Sequence, residues 1–158
     1  MKSKKDIKAL LLLIISSSLL FGYIITHEKQ KNFDYPSITG ETFESVMLPS
    51  YVPDGYTVTD MSISPLFNTI EYTFGENILY FTQGHNDATV SFDNEHNTIS
   101  EYQSDKYEGF LLTSTDIDNN YLLYVWDEQY SYEISGTIDK NEIFKMLESI
   151  EIYYTPSE

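Results

Sequence analysis

The sequence predicts an α+β fold: an antiparallel β-sheet of several strands with one C-terminal helix packed on it, preceded by a single N-terminal transmembrane helix. Three patterns lead to this prediction. An uncharged apolar run occupies residues 9–25 of the 158-residue chain. Between residues 70 and 135, apolar and polar residues mostly alternate, which is typical of strands with one buried face. Near the C-terminus, apolar residues recur at helical spacing.

The run from Ala9 to Ile25 is interpreted as an uncleaved signal-anchor. Its 17 residues would span about 26 Å as a helix, at the short end of the length that crosses a bilayer. Four lysines precede it, so the positive-inside rule makes residues 1–8 a short cytoplasmic tail and places the remaining chain outside the cell membrane. A cleaved signal peptide is the alternative, although no A-x-A-like site follows the run. We expect residues 9–25 to lie in the lipid bilayer, with no cytoplasmic effector domain.

The charge differs sharply between the two parts of the chain. Residues 1–25 carry a net +3 and residues 26–158 a net −19, which together give the formal charge of −16. Because nucleic acids attract basic surfaces, we expect no nucleic-acid partner, whereas cations or basic partners are electrostatically favoured. The absence of cysteine excludes disulfides, thiol catalysis and Cys-ligated zinc.

The polar segment at residues 26–45 is interpreted as a juxtamembrane spacer, and a short helix is predicted from Glu41 to Leu48. One extracytoplasmic domain of ordinary size is predicted at residues 46–154, followed by a tail at 155–158. Near its start, Pro-Asp-Gly at residues 53–55 predicts a structural turn, since proline presets φ and glycine tolerates positive φ.

Alternation predicts a β-hairpin in the first half of this domain. Ile70, Tyr72 and Phe74 alternate with polar residues, a turn follows at residues 75–77, and residues 78–83 form the partner strand. A further strand is predicted over the ATVSF segment at residues 88–92, where apolar residues again alternate.

The second half of the domain predicts more strands. Residues 110–112 form a short one. Residues 121–126 are apolar at every position, which predicts a central strand buried on both faces. After a turn at residues 127–129, alternation resumes and ends at Gly136.

One clear helix is predicted near the C-terminus. Asp139 is placed to cap it, and Glu142, three residues later, completes the spacing of a capping box. An apolar stripe formed by Ile143, Leu147 and Ile150, with Met146 beside them, should lie on the sheet.

Several strings in fixed order resemble one known family. They are PSYVPDGY at residues 49–56, IEY at 70–72, FTQ at 81–83, YVW at 124–126, YSYEISG at 130–136, and LESI at 147–150. Their order and spacing, over residues 47–152, resemble the domain of unknown function 4367. The resemblance implies an extracytoplasmic domain of Gram-positive, often spore-forming, bacteria behind a lipidated or membrane-spanning N-terminus. It implies no activity or catalytic residues, because none is established for the family. The anti-sigma members have a cytoplasmic segment that this chain lacks, which argues against direct sigma-factor binding.

Aromatic residues are numerous, and their first interpretation is structural. Trp126, the only tryptophan, is predicted to pack in the core with its indole N–H bonded to one partner, and stacking on a ligand is the alternative. The 14 tyrosines are interpreted as strand residues rather than as a sugar- or peptide-binding set.

Two groups of polar residues contain histidine or carboxylate side chains that can bind metal ions. His85 and His96 flank a segment with three carboxylates, but a spacing of eleven matches no ligand motif, so both are predicted to be exposed loop residues. His27 has no obvious partner. The segment Asp116–Asn120 starts like a calcium loop, yet Tyr121 replaces the required glycine and Asp127 the final glutamate. It is interpreted as a polar loop, with a weak surface calcium site left open.

No catalytic, cofactor-binding or metal-binding residue is assigned. The sequence has no GxSxG elbow, P-loop or HExxH motif, so the leading hypothesis is a membrane-anchored, non-catalytic domain that binds or senses an unidentified extracytoplasmic protein or small ligand. The alternative is a carrier or chaperone-like domain that cradles a lipid, lipoprotein or peptide on the sheet face not covered by the helix. An apolar open face would favour the carrier.

Overall fold

In the part of the chain that the structure describes, seven antiparallel strands form the main sheet. This computed structural model describes residues 33–36, 44–86 and 90–155, so the predicted anchor at residues 9–25 lies outside the described residues. The chain divides into two units, residues 1–31 and 32–158, and the described residues belong to the second. Over these described stretches, no helix is long and apolar enough to cross a membrane.

The predicted α+β arrangement is confirmed: a many-stranded antiparallel sheet with one C-terminal helix. The main sheet has the order β2-β3-β4-β8-β7-β6-β5, and β1 pairs with β9 in a separate two-stranded sheet. Two meanders, β2–β4 and β5–β8, meet where β4 pairs with β8. The elements are β1 (Val46–Pro49), β2 (Thr57–Ile63), β3 (Phe67–Phe74), β4 (Asn77–His85), β5 (Asn97–Gln103), β6 (Glu108–Ser114), β7 (Asn120–Trp126), β8 (Tyr130–Thr137), α1 (Lys140–Glu148) and β9 (Ile150–Tyr154).

One face of the main sheet is sealed by α1 and the β1–β9 pair. Alternate residues of the strands bury large side chains there, and Ile143, Met146 and Leu147 of α1 are fully buried against them. Each such aliphatic or aromatic side chain contributes about 1.5–3 kcal/mol by leaving water. The fully buried sheet residues include Ile70, Tyr72, Leu79, Phe81, Leu123, Tyr132 and Ile134. The predicted apolar stripe of the helix is thus confirmed for these three helix residues, whereas Ile150 is buried as the first residue of β9 because the helix ends at Glu148.

A buried amide pair fixes β1 against the sheet. Asn68 donates from Nδ2 to Gln83 Oε1 at 2.8 Å, and the same oxygen accepts from the backbone N–H of Met47 at 2.9 Å. Gln83 Nε2 in turn donates to the carbonyl of Ser45 at 3.0 Å. These bonds satisfy two amides that would otherwise be costly to bury.

The predicted N-cap of α1 is confirmed, but the full capping box is not formed. Asp139 accepts from the backbone N–H of Asn141 at 2.8 Å, as an N-cap should. The Glu142 carboxylate instead accepts from Lys145 at 2.7 Å and from the hydroxyl of Tyr51. Burial pushes the pKa of Glu142 upward, but these two hydrogen bonds and the charge of Lys145 together outweigh it, so the pKa lies below its ordinary value.

Three local predictions are wrong. The helix predicted from Glu41 to Leu48 is replaced, in its described part, by β1, because Val46 and Leu48 are buried while the backbone pairs with β9. The strand predicted at residues 88–92 is absent from its described part, residues 90–92, where Phe92 packs on the sheet without joining it. β7 lies inside the sheet as predicted, yet its second face is only half-buried.

Candidate functional site

The face of the main sheet opposite α1, here called the open face, differs between its two halves. Over β2, β3 and β4 it is mostly polar, and Thr59 Oγ1 donates to Glu71 Oε1 at 2.9 Å. A hydrogen bond to Glu71 also raises the pKa of Tyr80. Over β8, β7, β6 and β5 the same face carries several aromatic rings. The candidate site lies in this second half.

Four rings form what we call the Trp126 cluster: Phe92, Phe110, Tyr124 and Trp126. The Phe110 ring lies 5.9 Å from Trp126 and 5.7 Å from Phe92, and Tyr124 lies 6.0 Å from Trp126 and 5.9 Å from Phe92, measured between centroids. The rings are tilted or edge-on to one another, which suits their quadrupoles. All four side chains are only half-buried, so the cluster is a surface feature with ring area left to water.

Strand register and one connection assemble this cluster. Phe110 on β6 lies directly opposite Tyr124 on β7, and Trp126, two residues further, points to the same face. Phe92 comes from the connection between β4 and β5, which carries it onto this face. On the other side of the sheet, Gly109 sits opposite Val125 with no room for a Cβ, so these two strands pack closely there.

Trp126 lines three cavities among the described residues that border the cluster. The largest has a volume of about 380 Å³ and lies among Val90, Phe92, Phe110, Tyr124 and Trp126, with Asn86 at its rim. Two further cavities, of about 290 and 210 Å³, lie on the β5–β6 side of Trp126. The largest volume falls within the range of small-ligand sites, which begins at roughly 300 Å³.

Carboxylates flank these rings on the open face. The cross-strand order in one row is Glu133, Tyr124, Phe110 and Glu101, so the two central rings have a glutamate at each end. In the next row Glu108 stands directly opposite Trp126. The combination is an apolar aromatic surface bounded by negative charge.

The turn beside Trp126 is built by Asp127. Its carboxylate accepts the backbone N–H groups of Gln129 at 2.8 Å and Tyr130 at 2.7 Å, and the hydroxyl of Tyr132 at 3.1 Å. Burial first, and the Asp127 charge second, raise the pKa of Tyr132. Asp127 therefore organises the turn, and the following Glu128 is left exposed.

The interpretation of Trp126 as a core residue is wrong. Core side chains of β7 are those of Leu123 and Val125, which face α1, whereas Trp126 has the opposite parity and lies on the open face. The apolar run at residues 121–126 gave no means of separating the two faces, because both carry apolar residues. The sequence pattern does not mark Phe92 or Phe110 as site residues, since strand register brings Phe110 to the cluster and the β4–β5 connection brings Phe92.

The turn at residues 53–55 is confirmed as structural. The backbone N–H of Tyr56 donates to the Pro53 carbonyl at 3.3 Å. Gly55 has a φ of 88°, and a Cβ at this position would lie 2.8 Å from the Phe74 ring, so the turn requires glycine.

The polar candidates do not converge. Both histidines are exposed as predicted, and His96 lies in the connection before β5, but His85 is the last residue of β4 and pairs with Tyr130, so its predicted place in a loop is wrong. The Nδ1 atom of His96 lies 2.9 Å from Oδ2 of Asp116, the first residue of the loop whose sequence starts like a calcium site. Within the described ranges, no group of three or more His, Asp or Glu side chains is placed to hold a metal ion. His27 lies outside these ranges.

Comparison with known proteins identifies a family without a described activity. The family model named domain of unknown function (DUF4367) matches residues 46–150. No curated protein sequence matches the chain. Since the match covers well over half of the chain, the protein belongs to this family.

Proposed function

We propose that this member of the family is a membrane-anchored, extracytoplasmic, non-catalytic domain that binds its ligand on the open face at the Trp126 cluster. One observation carries the proposal: four large aromatic side chains remain half-buried on a face that no described helix or strand covers. Aromatic rings with polar edges are favoured contact residues, and a contiguous exposed apolar patch marks an interaction site. The adjoining cavity of about 380 Å³ gives a ligand a place to enter.

The anchor and the orientation rest on the sequence. An uncharged run at residues 9–25 follows four lysines, which supports an N-terminus inside and a domain outside. Because the chain has no cysteine, one introduced thiol gives an unambiguous label. In intact cells a membrane-impermeant maleimide should label Glu76→Cys, at the exposed β3–β4 turn, but not Ser3→Cys. Labelling of Ser3→Cys alone, or release of the protein by alkaline carbonate, would contradict the anchored topology.

Site-specific photocrosslinking tests the binding site. A benzophenone amino acid replaces Tyr124 in the cluster, and a matched variant carries it at Phe74, an aromatic position 53% exposed and outside the open face. We expect one discrete adduct from position 124 in living cells, lost when Phe110→Ala is added, and no such adduct from position 74. Equal adduct patterns from both positions would refute ligand binding at the cluster.

A carrier that cradles a lipid or peptide is the second candidate. The uncovered apolar surface of β6 and β7 favours it over a sheet sealed on both faces. A carrier should extract a fluorescent phospholipid or acylated peptide from vesicles and deliver it to acceptor vesicles. If the protein binds a soluble ligand and transfers no lipid, the carrier function is rejected and only the first proposal stands.

A further inference from the structure

Among the described residues, no lysine forms an ion pair with the carboxylates around the Trp126 cluster. The described residues include three lysines and, like the whole chain, no arginine. Lys106 lies over the Tyr107 ring at 4.7 Å, Lys140 over the Phe144 ring at 5.6 Å, and Lys145 bonds Glu142 at 2.7 Å. All three are therefore engaged by residues outside the cluster. Glu101, Glu108 and Glu133 give this half of the open face three formal negative charges, while Lys106 lines the adjoining cavity of about 290 Å³ together with Glu108 and Trp126.

An aromatic surface bounded by carboxylates selects a particular ligand chemistry. Ring faces attract cations through their quadrupole, and the carboxylates add direct charge attraction. A lysine or arginine side chain matches both, because its apolar stem can lie on the rings while its charged head reaches a carboxylate. An anionic ligand would be repelled by the same three glutamates.

The neighbouring sheet edge favours an extended peptide as the bearer of these cations. Strand β5 is the edge next to the cluster, and its residues 98–101 are exposed. It contains neither proline nor lysine, the residues that commonly protect an edge. The opposite edge strand, β2, has its pairing interrupted by a register shift between Val58 and Asp60. No described strand pairs with the outer edge of β5.

We infer that an extended basic segment of a partner protein adds as an eighth strand to β5 and lays its lysine or arginine side chains onto the Trp126 cluster. A residue of the added strand opposite Glu101 would have its Cβ about 5 Å from that of Glu101, and a long side chain would reach Phe110 on the next strand. This inference rests on the proposed function, since it names the ligand of the same site.

The test uses the full chain in an uncharged maltoside detergent and the fluorescence of its only tryptophan, Trp126. The probe is a blocked heptapeptide in which lysine alternates with threonine. Its controls are the same peptide with ε-acetylated lysines and the same peptide N-methylated at alternate amides. We expect saturable binding of the probe, weakened about 2- to 30-fold by acetylation, in line with a cation–π contact and a charge pair. N-methylation and Glu101→Gln should each weaken it, whereas Glu76→Gln should not.

Each other outcome overturns the inference in a recognisable way. Equal binding of the acetylated peptide would remove the cationic ligand class while leaving the cluster as a binding site. Equal binding of the N-methylated peptide, or of tetramethylammonium alone, would replace strand addition by capture of a cation. Absence of binding by every probe would also reject the inference. The crosslinking test at Tyr124 judges the proposed function separately.

Discussion

The environment of Trp126 can be measured before any ligand is known. If three carboxylates surround this indole, a cationic quencher should reach it more readily than an anionic one. Glu108 stands directly opposite Trp126, Glu133 is its diagonal neighbour, and Glu101 lies two strands away. Cross-strand Cβ spacings are about 5 Å for the direct pair, about 7–8 Å for the diagonal one and about 10 Å across two strands. Since each carboxylate and the ring extend beyond their Cβ atoms, the mean distance from charge to ring is on the order of 10 Å.

The expected size follows from Coulomb's law. One unit charge at about 10 Å in water contributes about 0.4 kcal/mol, and three contribute about 1.2 kcal/mol. At 0.1 M salt the Debye length of about 10 Å reduces this to about 0.5 kcal/mol. Caesium should then be enriched about two-fold near Trp126 and iodide depleted about two-fold. Their quenching ratio should rise about four- to five-fold over that of free N-acetyltryptophanamide.

Stern–Volmer quenching of Trp126, excited at a wavelength that spares tyrosine, measures this ratio at constant ionic strength. The variant with Glu101→Gln, Glu108→Gln and Glu133→Gln should lose most of the asymmetry, and Glu76→Gln should keep it. The reasoning fails if wild-type protein gives the ratio of the free compound. It also fails if the triple variant matches wild type, because the charge would then come from the acidic domain as a whole.

Three further predictions concern stability. Gly109→Ala should lower the free energy of unfolding in urea by about 1–3 kcal/mol, since the added Cβ would lie 2.6 Å from Val125 Cα. The control Gly84→Ala, whose Cβ would have more room, should change that free energy by less than about 1 kcal/mol. Equal losses of stability in the two variants would contradict the close packing at Gly109. Burial raises the pKa of Tyr132 above its ordinary value of 10.0, so the stability it contributes is present below that pH and falls above it by about 1.4 kcal/mol per pH unit. A free energy of unfolding that stays constant from pH 9.5 to 11.5 would refute this. The pKa of Glu142 lies below its ordinary 4.5, so its contribution is present above that pH and lost below it, and Glu142→Gln should reduce the fall in melting temperature on acidification.

The sequence predicts the sheet best where local chemistry and burial agree. The β3–β4 hairpin is confirmed because alternation at Ile70 and Tyr72 coincides with a glycine turn, and Phe74 pairs with Asn77 across it. The cap at Asp139 and the stripe of α1 are confirmed for the same reason. These signals lie within a few residues of one another and need no long-range contact.

The strands that sequence reasoning missed depend on distant partners. β5 is almost entirely exposed, so no apolar alternation marks it. β9 has three exposed residues and exists because its backbone pairs with β1, about 100 residues earlier. The helix predicted at Val46 is wrong because no feature of the local sequence reveals the pairing of β1 with β9. Local propensity is a weak prior when tertiary hydrogen bonds decide the outcome.

The candidate site lies where β7 departs from the alternation of apolar and polar residues. Its neighbour β8 alternates cleanly, with Tyr132 and Ile134 buried and Glu133 on the open face. β7 instead places apolar residues on both faces, with Leu123 and Val125 inside and Tyr124 outside. From the sequence alone, such a run of apolar residues predicts a strand that is covered on both faces.

The open face offers a different explanation of the same pattern. Rings that keep part of their area in water create an apolar surface where polar residues would be better solvated. Glutamates at both ends of the Tyr124–Phe110 pair keep that surface hydrated and give it a charge preference. We therefore propose that the second apolar face of β7 is an interaction surface, and the carboxylates around it support a basic partner.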